Sequence, residues 1–216
     1  MSASTAPPAP ALGVPRWPAF IALLTIGALY LLVSARLTPG PPWLPLVAVV
    51  ALLVPRVVAY VRGRHLLTRH LGLVLISLLT LAIITSTVFL VVALLGRTVA
   101  AAVLLRGAAV MWVANVLTFA VWYWEIDAGG PGARHRDHHA STDFVFPQLA
   151  AAHPGPTEGW SPGFVDYLFL AFNTSTAFSP TDTMVLSRRA KLLMMLQSLV
   201  SLIVIAVLAA RAINTL

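Results

Sequence analysis

The sequence predicts an all-α polytopic membrane protein: about five transmembrane helices, plus one short re-entrant, pore-like helix before the last span. Three observations predict it. The 216 residues are 59% hydrophobic and only 10% charged, with a mean hydropathy of +0.88, whereas a soluble domain carries about 25% charged residues. Apolar runs near the roughly 20 residues that a spanning helix needs recur along the chain. A shorter apolar run, 163–176, ends in a hydroxyl-rich turn and is followed at once by another long one.

Residues 1–15 are rich in Ala, Pro, Ser and Thr and carry no charge before Arg16. A signal peptide wants a basic start and a cleavage site after a short apolar stretch; neither is present, so a disordered tail is expected. The four-helix region covers 16–124 as two hairpins. The first span is expected from Trp17 to Ala35, closed by Arg36 and the breaker 38–42. The second runs from Leu44 to Val61 and carries Pro45 and Pro55. A basic turn, 62–70, leads to the third, Leu71 to Leu95. Gly96-Arg97-Thr98 turns into the fourth, Val99 to Trp124. Trp122-Tyr123-Trp124 then reads as an aromatic belt at the headgroups. A polar, acidic loop covers 125–162. The pore-loop-like segment and last span fill 163–216, with the short helix at about 163–176, a polar turn at about 177–187 and a span from Arg189 to Ile213.

The net charge is +7, from 14 Lys+Arg against 7 Asp+Glu. These cations sit at the ends of apolar segments, where membrane topology places them. The bilayer, and not nucleic acid, is therefore the expected partner, and the cell inner membrane the expected location. There are no cysteines, which excludes disulfides, thiolate metal sites and cysteine nucleophiles. No Ser-His-Asp set, His-Glu-x-x-His, phosphate loop or dinucleotide fingerprint occurs. No enzyme activity and no cofactor are expected.

Orientation carries two opposing signals. The excess of Arg at 62, 64 and 69 places that turn in the cytoplasm. Counting alternately, 125–162 and Arg188, Arg189 and Lys191 fall on the same side. A channel-type pore loop enters from the outside instead. Segment 125–166 also holds six acids against two arginines, although acids weigh little in the rule.

The candidate site is Thr174, Ser175, Thr176, Ser179, Thr181 and Asp182. Hydroxyls and a carboxylate ringed around an axis could coordinate a cation. The other reading is a helix–turn–helix contact in which hydroxyls cap helix ends, and Thr181-Asp182 precede a helical pattern as good caps. Gln197 and Ser201 line a pathway if the last helix does. Otherwise they, with Asn115, Thr118 and Ser198, are polar packing contacts between helices. Ser77, Thr80 and Thr87 form a similar stripe on the third helix. Glu125 and Asp127 are either a cation-concentrating vestibule or an ordinary helix-end flank. Arg106 and Arg56 are expected to snorkel to the interface. His135, His138 and His139, with Asp137, could hold a zinc-like ion; the alternative is a solvated loop, and Arg134 and Arg136 disfavour a cation.

From Gly163 to Leu216 the layout resembles the pore module of two-helix potassium channels. Asp166-Tyr167-Leu168-Phe169 resembles the start of the pore helix, and 173–176 the hydroxyl run before the filter. Asp182 resembles the filter's closing Asp, and 186–191 the linker to the inner helix. Residues 177–181 contain no glycine, and Pro180 removes an N–H. The usual carbonyl filter needs backbone conformations that glycine supplies cheaply, so the resemblance does not carry potassium selectivity with it. Over most of 44–216 the chain is similar to a family of bacterial multi-pass inner-membrane proteins with a domain of unknown function, through Asp143-Phe144-Val145-Phe146-Pro147, Pro180-Thr181-Asp182 and Ser187-Arg188-Arg189. These resemblances imply a channel-like or transport-related protein, a homo-oligomer (a tetramer if channel-like), and monovalent cations as partners. A non-conducting interaction or structural protein on the same scaffold is the alternative.

Overall fold

A computed structural model describes residues 16–134, 142–149, 160–176 and 182–213. The expected tail at 1–15, the histidines at 135, 138 and 139, and Ser179 and Thr181 lie outside the described residues. The described residues form six α-helices: α1 Trp17–Tyr30, α2 Leu44–Val61, α3 His65–Gly96, α4 Ala101–Ile126, α5 Phe164–Thr176 and α6 Arg188–Ile213. A two-strand antiparallel ladder, β1 Phe144–Val145 against β2 Met184–Val185, ties the long loop to the residues before α6.

Helix boundaries follow local chemistry. Pro18 and Pro45 sit in the first turns of α1 and α2, where a missing N–H costs nothing. α1 is shorter than expected and stops at Tyr30 instead of Ala35. The chain then turns, and Ser34 caps a 3-10 turn over Ala35–Leu37 through the Arg36 N–H. α3 ends in a left-handed residue, Arg97 at φ 52°, a conformation that breaks a helix at once. α4 ends similarly, through Ala128, Gly129 and Gly130, all at positive φ.

α4 is the central helix and packs against α1, α3, α5 and α6, while α2 joins through α1 and α3. Its apolar partners include Leu23 and Ile26 on α1, Leu75, Ile76 and Ile83 on α3, and Leu170 on α5. Trp122 Nε1 donates to Thr80 Oγ1 at 2.7 Å, a polar stitch between α3 and α4. Of the expected stripe on α3, Thr80 and Thr87 are buried, while Ser77 is exposed.

The outer faces are apolar. On α6, Leu192, Met195, Leu199 and Leu202 form one exposed stripe. Exposed stripes of this kind suit lipid as the solvent, because lipid tails are as apolar as leucine.

The helix ends fall on two faces. Arg16 lies over the Tyr60 ring at 4.5 Å, so the start of α1 meets the end of α2. Arg189 reaches Ile126 O at 3.2 Å, so the start of α6 meets the end of α4. Arg36 reaches Thr98 O at 3.2 Å on the opposite face. α5 begins beside the end of α4, where Phe164 packs edge-on to Trp124, and finishes halfway along it, where Phe172 meets Trp112. At 1.5 Å per residue its length is about 20 Å, against a hydrocarbon core of about 30 Å. The chain is back beside the end of α4 when α6 begins.

Candidate functional site

The polar residues that the sequence singles out on α5 and α6 meet one another inside the chain. Gln197 is the hub. Its Nε2 donates to Ala171 O and to Ser175 Oγ, both at 2.7 Å. Its Oε1 accepts the Tyr123 hydroxyl, and its carbonyl accepts Asn115 Nδ2 at 3.3 Å. Ser201 Oγ donates to Ser175 O at 2.7 Å, and Ser198 Oγ to Thr174 O at 3.3 Å. The last turn of a helix has carbonyls without intrahelical partners; here α6 side chains supply donors to that end of α5. Ser175, Gln197 and Ser201 are all at least 98% buried.

The remaining hydroxyls turn inward along their own helix. Thr174 Oγ1 donates to Leu170 O at 2.8 Å, and Thr176 Oγ1 to Asn173 O at 3.1 Å. Asp182 is exposed, away from this cluster's buried core. Thr118 is buried with no partner for its hydroxyl among the described residues. The structure thus brings together Thr174, Ser175, Gln197 and Ser201 from the candidate list, and adds Tyr123.

Tyr123 was hidden in the expected aromatic belt. Tyr123 and Trp124 are buried, and Trp122 is half-buried with its N–H on Thr80. These aromatics therefore face the bundle and not the headgroups. Trp124 stacks edge-on against Phe164 and Tyr167, closing the top of α5 onto α4.

A second cluster lies at the end of α4. Asp127 Oδ1 accepts the backbone N–H groups of Asp143 at 2.8 Å and Phe144 at 3.2 Å, and its Oδ2 accepts the Tyr167 hydroxyl at 2.6 Å. Burial pushes the Tyr167 phenol well above its ordinary pKa; the neighbouring Asp127 adds to the rise and Arg134 opposes it. Tyr167 therefore remains a neutral hydroxyl and donates. Arg134 caps it from outside, bonding the Tyr167 hydroxyl and Trp124 O and lying 4.6 Å over the Trp124 ring. Asp143, itself buried, is gripped by Arg189. Asp166 accepts the Gly163 N–H at 2.7 Å, capping α5.

Glu125 and Arg56 form a buried ion pair, their side chains 4% and 2% exposed. The expected snorkelling of Arg56 does not occur. Its guanidinium lies over Phe20 at 5.6 Å and against Gly72, where a Cβ would come within 2.8 Å of Cζ. Arg106, near the start of α4, is exposed. A signal for the pair was present: alternating hairpins put the ends of α2 and α4 on one face, and the charges near those ends are basic on α2 and acidic on α4. Glu125 and Asp127 are thus buried and paired.

Within the described residues, no three His, Asp or Glu side chains converge on a metal-sized site, and Ser175 and Ser201 have no base beside them. The fold and its polar core define an all-helical chain in which α2, α3, α4 and α6 are long and apolar enough to cross a membrane. Comparison with protein-family models, with curated proteins and with solved structures finds no match to this chain.

Proposed function

We propose that the chain is a multi-pass protein of the cell inner membrane that works as a non-conducting structural or interaction scaffold. α1 is its fifth, short crossing, and α5 is a re-entrant helix fastened to α4 and α6. The observation that carries this reading is the Gln197 amide. Its donor nitrogen and its acceptor oxygen are both engaged within the chain. A pathway-lining glutamine would keep part of that capacity for water or ions. The resemblance to a channel's pore module then lies in layout and not in conduction. The face carrying Arg16, Arg62, Arg64, Arg69 and Arg188 is assigned to the cytoplasm, since basic residues accumulate there.

Flux measurement in reconstituted vesicles tests this. Potassium and sodium flux should equal that of protein-free vesicles, and Gln197→Leu should lower thermal stability without changing flux. Cation flux above that baseline, altered by Thr176→Ala or Asp182→Asn in folded protein, would overturn the reading in favour of the channel-like one.

A further inference from the structure

A cavity of about 110 Å³ opens between the start of α1, the end of α2, the start of α3 and the glycine-rich loop after α4. A single water needs about 10–15 Å³ by the same measure, so the space admits a polyatomic group. Arg16, Arg56, His65, Arg69 and Glu125 line it, with the backbone of the loop from Gly129 to Gly132. Three arginines face one carboxylate.

That carboxylate is already committed, because Glu125 Oε1 takes Arg56 Nη2. The two nitrogens on either side of that Nη2 are not. Arg56 Nε and Nη1 are buried and have no hydrogen-bond partner among the described residues. Charged donors are among the costliest groups to leave empty away from water. Gly72 leaves the room in which the fork lies, and Glu125 holds its far end. The first residues of α3, His65 and Leu66, also border the cavity, so the positive end of a long helix faces the same space.

We propose that this cavity binds a phosphate group. Arg56 would donate from Nη1, beside the Nη2 that Glu125 holds, to one phosphate oxygen, a charge-assisted bond. Arg16 and Arg69 would close on the remaining charge from the water side. The group is either the headgroup phosphate of an anionic lipid or a free phosphate. The cavity lies on the face that carries most of the chain's arginines, a charge pattern that attracts anionic lipid. The proposal is independent of whether the protein conducts ions.

The test uses the full chain in neutral detergent, with thermal unfolding and native mass spectrometry as readouts. Phosphatidylglycerol, phosphatidylcholine and inorganic phosphate are added separately, with chloride at matched ionic strength as control. Stabilisation and retained mass with phosphatidylglycerol alone assign the lipid headgroup; stabilisation by inorganic phosphate assigns the free anion. In either arm Arg16→Gln/Arg69→Gln, which leaves the Arg56–Glu125 pair intact, should weaken binding about tenfold, the scale of losing charge-assisted contacts. Arg56→Lys keeps a cation for Glu125 but removes the donor beside it, and should weaken it similarly. No response to either phosphate source, or an equal response in the Arg16→Gln/Arg69→Gln protein, would overturn the proposal.

Discussion

Arg189 holds both oxygens of the Asp143 carboxylate, Nε on Oδ1 at 2.7 Å and Nη2 on Oδ2 at 2.6 Å. One residue opens α6; the other lies in the loop beside β1. The contact fixes where the last helix starts relative to that loop, and the Leu186 N–H donating to Asp143 O at 2.9 Å extends the ladder beside it.

Asp143→Asn should therefore lower stability by about 1–3 kcal/mol, because a buried acceptor of charge-assisted bonds is lost. Arg189→Lys should cost less, about 1 kcal/mol. Arg189 is half exposed, which weakens its electrostatic share, and lysine cannot reproduce the fork. Thermal unfolding in detergent would check the order; equal and negligible effects would mean the pair does not anchor α6.

The Arg56–Glu125 pair should behave asymmetrically. Either Arg56→Met or Glu125→Leu alone strands a buried charge and should cost about 3–5 kcal/mol. The Arg56→Met/Glu125→Leu double variant should recover most of that loss. A double-mutant cycle reads the coupling directly, and additive losses would show that the two charges are not partners in solution.

Gln197→Leu should lower stability by roughly 2 kcal/mol, since interhelical bonds in membranes average about 0.6 kcal/mol and three side-chain bonds are removed. Ser201→Ala, which removes one, should cost less than 1 kcal/mol on the same scale. If Gln197→Leu instead leaves the unfolding temperature unchanged, its bonds do not hold α5 to α6.

Gly27 brings α1 against α2 so closely that a Cβ would lie 2.9 Å from Leu46 Cα. A backbone neighbour cannot rotate away, so Gly27→Ala should cost about 1–3 kcal/mol through forced separation of the helices. Gly63→Ala is the control for backbone effects alone: its added Cβ meets nothing, but its φ of +69° disfavours any side chain. The change at Gly27 should be the larger one, and a smaller loss there would argue against close α1–α2 packing.

Much of the architecture is legible along the chain. The second helix runs from Leu44 to Val61 as expected, and the short apolar run is helical over Phe164–Thr176. Both depend on local signals: proline positions, apolar run length and hydroxyl-rich ends. The first helix was overextended because Leu31 to Val33 are as apolar as the helix before them, and apolarity does not report where a backbone turns. Arg56 was misplaced for a related reason. Near a helix end, a lone arginine that snorkels and one that pairs look alike in sequence.

By itself the sequence determined the membrane character, the helix order and the set of polar residues that needed partners, because length, apolarity and capping act over a few neighbouring residues. Only the tertiary structure decided the partners. Arg56 meets Glu125 across 69 residues, and Tyr123 meets Gln197 across 74. Such matches depend on helix rotation and depth, which apolar surfaces leave nearly free in lipid and which packing and buried hydrogen bonds fix.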